Sequence, residues 1–385
     1  MSDDNKNSIV NVIDEFDYST QNDAYNEKFK KWRRNKDNHC AFNYSANKNE
    51  KVYIESKGFV AHSVEEAEKD SLTHIFYIIG IAALIWAVTE DAVSKLGISL
   101  LSLLGLNIHT NFFNSSVYGG SIEIVTALIA VSVLKIVVPS IYAHIRFKLP
   151  RKVEFMGRMN NSLALVGAIS MTLIVCTAMS LPTAYSSESK EIYDYFRSID
   201  ADLYVWDQKE FLMYTIFDVI IMSVLSEMFF RGAMFAALRQ FGDPFAIVMT
   251  ALTAGLLTQD FRAMPITILV SLVAGYGMVS SGTMFTAISV SIVYKMYSLA
   301  LLILETDRTE KMPLTRNIFM MIALAVGIVG FIVFWLGFVR RKKGGIARYS
   351  SEYSKWKRLG FSLKTFPYSA VLLICLAYAA MRLTQ

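Results

Sequence analysis

The chain has 385 residues, 54% of them apolar and 18% charged, with a formal net charge of +5. That length could hold two or three soluble domains, but the apolar residues gather into long uncharged runs, which excludes an ordinary soluble architecture. The small positive balance is no nucleic-acid signature, and three scattered cysteines offer neither a disulfide framework nor a CxxC metal spacing.

Residues 1–70 form a polar N-terminal region that opens acidic ("MSDDNKNSIVNVIDEFDYSTQND"), without the basic-then-apolar pattern of a cleavable leader. Within it, "KFKKWRRNK" (28–36) sets Phe29 and Trp32 among basic residues. Two readings stand: a solvated basic helix end, or attachment to an anionic cytoplasmic membrane surface.

A bilayer-crossing helix needs roughly 20 predominantly apolar residues. About nine stretches qualify as candidate spans: 73–93, 121–144, 160–184, 209–230, 244–260, 263–280, 283–304, 317–339 and 366–384. The segment 94–113 is apolar but short, and reads as interfacial or re-entrant. The expected fold class is therefore all-α, a polytopic membrane protein. Its parts are the N-terminal region, helices with outer loops over 71–208, a core over 209–304, and C-terminal helices over 305–385 that include the basic loop 340–358.

Loop charge sets the orientation. Segments 146–158, 231–243 and 340–358 are basic and fall on one side, while the acidic 186–208 falls on the other. This puts the N-terminus in the cytoplasm and the C-terminus outside. No internal repeat is evident, so an inverted-repeat transporter gets no support.

An ionisable residue inside a span is costly, and so is a functional candidate. Asp218, Glu227, Arg231 and Lys295 are the principal ones, with Glu123 and Lys135 on the second span. Glu227 lies about 27 Å along its helix from residue 209, at 1.5 Å per residue. Arg231 follows at i+4 on the same face, where it can pair with Glu227. On spacing alone, a structural ion pair closing a helix end is as good a reading as a reactive site.

The stretch "SEMFFRGAMFAALRQFGDPFAIVMTALTAGLL" resembles the CAAX protease and bacteriocin-processing family of intramembrane proteases. The resemblance spans about 209–300 and rests on Glu227, on Phe230-Arg231-Gly232, on the "FGDPFA" turn (241–246) and on the Gly-rich 272–288. It implies a Glu-Glu-x-x-x-Arg motif in which paired glutamates act on a water. Two histidines on neighbouring helices would bind or orient the reacting groups, whether or not a metal takes part. Amide cleavage in a membrane needs such a base, a donor for the developing oxyanion, and a polar pocket.

Several of those groups are replaced here. Ser226 stands for the first glutamate. Ala254 and Thr258 fall where Phe-x-x-x-His belongs, and a shift by one gives Gly255 and Gln259. Ser291 and Lys295 fall where His-x-x-x-Asn/Asp belongs. Of the five histidines, only His144 lies at a depth comparable with Glu227. Glu227 and Arg231 thus remain as a residual motif, and Ser226, Thr258, Ser291 and Lys295 mark degenerate cavity positions. The expected arrangement is a charge-compensated cluster of Glu227, Arg231 and Lys295, with Asp218 able to join.

The favoured function is a catalytically inactive pseudoprotease that binds a membrane protein or peptide partner, with membrane lipids around it. It would use no cofactor, metal or nucleic acid. One alternative is an active endopeptidase using Glu227 with a non-standard polar set. Another is an unrelated transporter or structural membrane subunit. A bacterial plasma membrane suits the short loops and the Lys/Asn-rich tail better than the endoplasmic reticulum does.

Overall fold

The computed structural model describes residues 21, 23–35, 38–41, 52–54, 58–61, 64–92, 96–110, 117–180, 208–261, 263–306, 312–341, 346 and 353–383. The acidic loop 186–208, apart from Gln208, and most of the basic loop 340–358 lie outside these residues. Among the described residues, seven helices are long and apolar enough to cross a membrane, or up to eight if a bent C-terminal pair counts as one span.

In chain order, α1 (Asp23–Arg34) and a small hairpin, β1 (Val52–Ile54) with β2 (Gly58–Ala61), precede α2 (Val64–Ala92). Next come α3 (Ile98–Leu103), a second hairpin of β3 (Ile108–Thr110) and β4 (Val117–Gly119), and α4 (Ser121–Phe147). The short α5 (Arg151–Glu154) leads to α6 (Ser162–Ser180). Residues 208–241 are continuously helical and are called α7 here. After it come α8 (Asp243–Leu256), α9 (Met264–Ser281), α10 (Met284–Thr306), α11 (Met312–Arg341), α12 (Lys355–Lys364) and α13 (Phe366–Leu383).

The expected nine spans are reduced in two places. α8 has only 14 residues, about 21 Å of helix, which is short of a hydrocarbon core of about 30 Å. Its return path is a turn in which Leu257, Gln259, Asp260 and Ala263 are buried by protein, with Gln259 at φ +53°. Irregular backbone survives at membrane depth only where protein covers it or a water-filled cavity adjoins it. The second place is the C-terminus, where α12 and α13 meet at 86°.

The span expected to end at residue 230 instead runs on to 241, so most of the basic 231–243 segment is helix, not loop. Gly242, at φ +98°, ends α7, and Pro244 in the first turn of α8 restarts the chain. Segment 94–113 is no span: α3 and β3 occupy it, with Leu100, Leu103, Leu104 and Leu106 exposed, as suits an interfacial element.

Several helix ends converge on one face. Ser281 accepts from the Asn160 amide (2.8 Å) and Met156 from the Met284 amide (2.9 Å). Arg358 pairs with Glu68 at 2.8 Å, and Gln240 donates to the Cys40 carbonyl at 2.8 Å. Met156, Arg239, Gln240 and Arg358, which come from the three basic segments, make contacts on this face. Close helix contacts use small residues, as membrane bundles do. A Cβ at Gly80 would overlap the backbone of Pro367 and Tyr368, so glycine there lets α2 and α13 touch.

The basic N-terminal segment keeps Lys28 and Lys31 exposed, but it is no loose arm. Tyr25, Phe29 and Trp32, spaced i, i+4, i+7 on α1, are 3%, 1% and 5% exposed. Trp32 Nε1 donates to the Phe147 carbonyl at 2.9 Å, and Arg239 donates to the Tyr25 hydroxyl at 2.9 Å. Arg239 in turn pairs with Asp243 at 2.7 Å, both fully buried. α1 is therefore seated on the ends of α4 and α7. Burial on this face also pushes the Cys40 thiol up to about 12.

Candidate functional site

α7 is not a uniform α-helix. Phe217–Met222 and Met228–Met234 are π-helical, flanking one α-turn, Ser223–Glu227. Such widened turns are rare and concentrate at functional sites. Glu227 closes the α-turn and Arg231 sits inside the second π segment.

The aromatic pair between them explains the local order "EMFFR". Phe229 and Phe230 pack on Trp86 of α2, ring centroids 5.4 and 5.5 Å away. Phe229 is fully buried. These rings anchor one side of α7 to α2, while Glu227 makes its contact with α10.

There Glu227 and Arg231 are 4% and 2% exposed at the side chain, with Nε 3.1 Å from Oε2. A second guanidinium nitrogen donates to Oε1 at 3.4 Å. Ser291 of α10 donates to the same Oε1 at 2.5 Å. The far nitrogen of Arg231 donates to both the carbonyl and the hydroxyl of Ser271 on α9, at 2.6 Å each. One ion pair thus binds three helices. The Nε–Oε2 approach is close but misaligned, leaving Oε2 without a hydrogen-bond donor, and Ser223 Oγ one turn earlier also has no partner.

The expected positions separate. Ser291 joins Glu227 as placed by the resemblance. Ser226 donates to the Ser223 carbonyl at 3.1 Å. Thr258 donates to the Gly255 carbonyl at 2.6 Å in the turn after α8. Lys295 does not join a cluster with Glu227 and Arg231. It pairs with Asp218 at 2.7 Å and also donates to the Asp218 carbonyl at 2.9 Å. The reason is depth: Asp218 and Lys295 face each other nearer the far end of α7. The expected single cluster is therefore two separate pairs.

Ser271 was absent from the expectations. Its only signal is a hydroxyl within the apolar run "ITILVSLVAGYG", which is common in membrane helices. His144 donates to or accepts from Glu154 of α5 at 2.7 Å and is 45% exposed, so it is engaged at the membrane edge. Among the described residues no group of three or more His, Cys, Asp or Glu is placed to hold a metal ion. The immediate companions of Glu227 are a guanidinium and hydroxyls, a donor set that does not fit a metal cation.

Residues 208–297 match the Rce1-like family model, described as type II CAAX prenyl endopeptidase Rce1-like. The matched segment covers α7, α8, α9 and the first half of α10, which are the elements that supply Glu227, Arg231, Ser271 and Ser291. No curated protein and no solved structure matches the chain.

Proposed function

We propose that this integral membrane protein uses its Rce1-like domain to hold a membrane protein or peptide partner without cleaving it. The observation that supports this reading is the state of Glu227. Ser291 stands where the resemblance calls for an imidazole, and it donates to Oε1 beside Arg231. The carboxylate is thereby engaged by structural donors from its own helix and from α10. The same contacts make it a good clamp between α7, α9 and α10. The N-terminus and the face carrying α1 lie in the cytoplasm in this reading, as basic loops require, and the membrane is a bacterial plasma membrane.

Incubation of the purified protein with a prenylated CAAX peptide and with a leader peptide tests the proposal. The expected result is no cleavage that depends on Glu227. Cleavage abolished by Glu227→Gln overturns it. Purification from native membranes is expected to retain a stoichiometric partner.

A second reading, an active endopeptidase, draws on one observation. Glu227 Oε2 and Ser223 Oγ are buried polar atoms without hydrogen-bond partners, and such atoms are where a reacting water would gain bonds. The same incubation separates the two readings.

A further inference from the structure

A groove of about 670 Å³ opens where α1 meets the turn between α4 and α5, lined by Lys28, Lys31, Trp32, Asn35, Lys148 and Pro150. Three ammonium groups line it and no carboxylate does. Like charges gathered in one concavity raise the local potential and draw an anion.

The position of the groove narrows the choice of anion. Lys148 directly follows α4, so it sits where the span Ile122–Phe147 leaves the hydrocarbon. Trp32 is held at that level by its hydrogen bond to the Phe147 carbonyl (2.9 Å). Tryptophan at the headgroup boundary with lysines beside it is the usual composition of a membrane interface. Just beyond the groove, Arg146, Arg151 and Lys152 are exposed. Phe155 and Met159 add exposed apolar surface at 40% and 38%. A basic rim around protruding apolar groups fits contact with lipid better than contact with bulk solution.

Lys148 also has an unusual backbone. It caps α4 in the left-handed region at φ 50°, where glycine is the common residue. A lysine kept in that conformation directs a cation to a place that a helix cap alone does not require.

We infer that this groove binds the phosphate headgroup of an anionic phospholipid from the leaflet beside it. Lys28 and Lys31 reach the phosphate from α1, and Lys148 reaches it from the end of α4. Asn35 offers a neutral polar contact, and the acyl chains run along the apolar exterior of α4. The lipid thereby ties α1 to the bundle. This inference does not depend on whether Glu227 is reactive.

The test uses full-length protein in nanodiscs of phosphatidylcholine with or without phosphatidylglycerol. Bound lipid is read by native mass spectrometry after release into neutral detergent. The expected result is retention of phosphatidylglycerol in preference to phosphatidylcholine. The triple variant Lys28→Ala, Lys31→Ala, Lys148→Ala is expected to lose at least about tenfold of that preference. All three side chains are exposed, so the variant folds. A matched variant elsewhere on the same face, Arg158→Ala, Lys357→Ala, Lys364→Ala, is expected to keep it. Equal loss in both variants, or no loss in the first, overturns the inference. Displacement of the lipid by millimolar inorganic phosphate also overturns it, because the site would then serve a soluble anion.

Discussion

Two of the acid–base pairs in the matched segment behave differently. Glu227–Arg231 is almost sealed, at 4% and 2% exposure, and draws in Ser271 and Ser291. Asp218–Lys295 connects α7 to α10 nearer the other end, at 37% and 27% exposure. If the first pair is broken, the charge left behind keeps only neutral partners, the groups of Ser271 or Ser291, in a site closed to bulk water. The second is open, and Lys295 has a long flexible stem and a backbone carbonyl to fall back on. Proximity of opposite charges is common to both; what differs is the cost of being left alone.

The largest effect is expected from separating the sealed pair. Glu227→Ala leaves a buried guanidinium uncompensated and should cost about 3–5 kcal/mol, read as a large drop in thermal midpoint in detergent. Adding Arg231→Met should recover much of that loss. If the double variant is as unstable as the single, the cost is not an unpaired charge. Next, Ser271→Ala and Ser291→Ala each remove a hydrogen bond to a charged group, at about 1.5–3 kcal/mol by the same measurement. Ser271→Ala should cost less than a full loss, since its carbonyl remains.

The open pair should respond weakly. Asp218→Asn or Lys295→Met is expected to cost about 1 kcal/mol or less, with near-normal abundance in membranes. A collapse in either variant would show that Lys295 supports the buried site after all.

The smallest effect is a pH dependence at the membrane edge. Burial raises the Glu154 carboxyl above its ordinary value, opposed by the His144 hydrogen bond and by the charges of His144 and Arg151. The folded state therefore holds the Glu154 proton more tightly than the unfolded chain. That contribution to stability is present below the ordinary glutamate value and is lost as pH rises through the raised one. Glu154→Gln should flatten this part of the pH–stability profile, which is measurable by thermal unfolding across pH 4 to 8.

The parts of this arrangement that follow a period were legible in the sequence. Hydropathy located the spans, because the bilayer imposes a length on them, and i,i+4 spacing paired Glu227 with Arg231. The short α8 was misjudged because its run 244–260 was read as one helix, whereas the helix stops at Leu256 and the chain turns back. Lys295 was assigned to the wrong acid because depth counted from uncertain span ends cannot separate Asp218 from Glu227. Ser271 was missed because its contact lies 40 residues from Arg231 and follows no repeat. The docking of α1 was hidden for a similar reason. Tyr25, Phe29 and Trp32 announce an apolar face, but the surface that receives it is assembled from residues far along the chain.

That last separation has a consequence for how the protein is made. Tyr25 and its partner Arg239 are 214 residues apart. At a synthesis rate of about 5–20 residues per second, roughly 10–40 s pass between their emergence. Throughout that interval α1 has been translated while the α7 part of its seat does not exist. Its aromatic face must wait at the membrane surface or in the care of a chaperone. An early helix thus waits for a late one, and its full docking reports that the α7–α8 corner has formed.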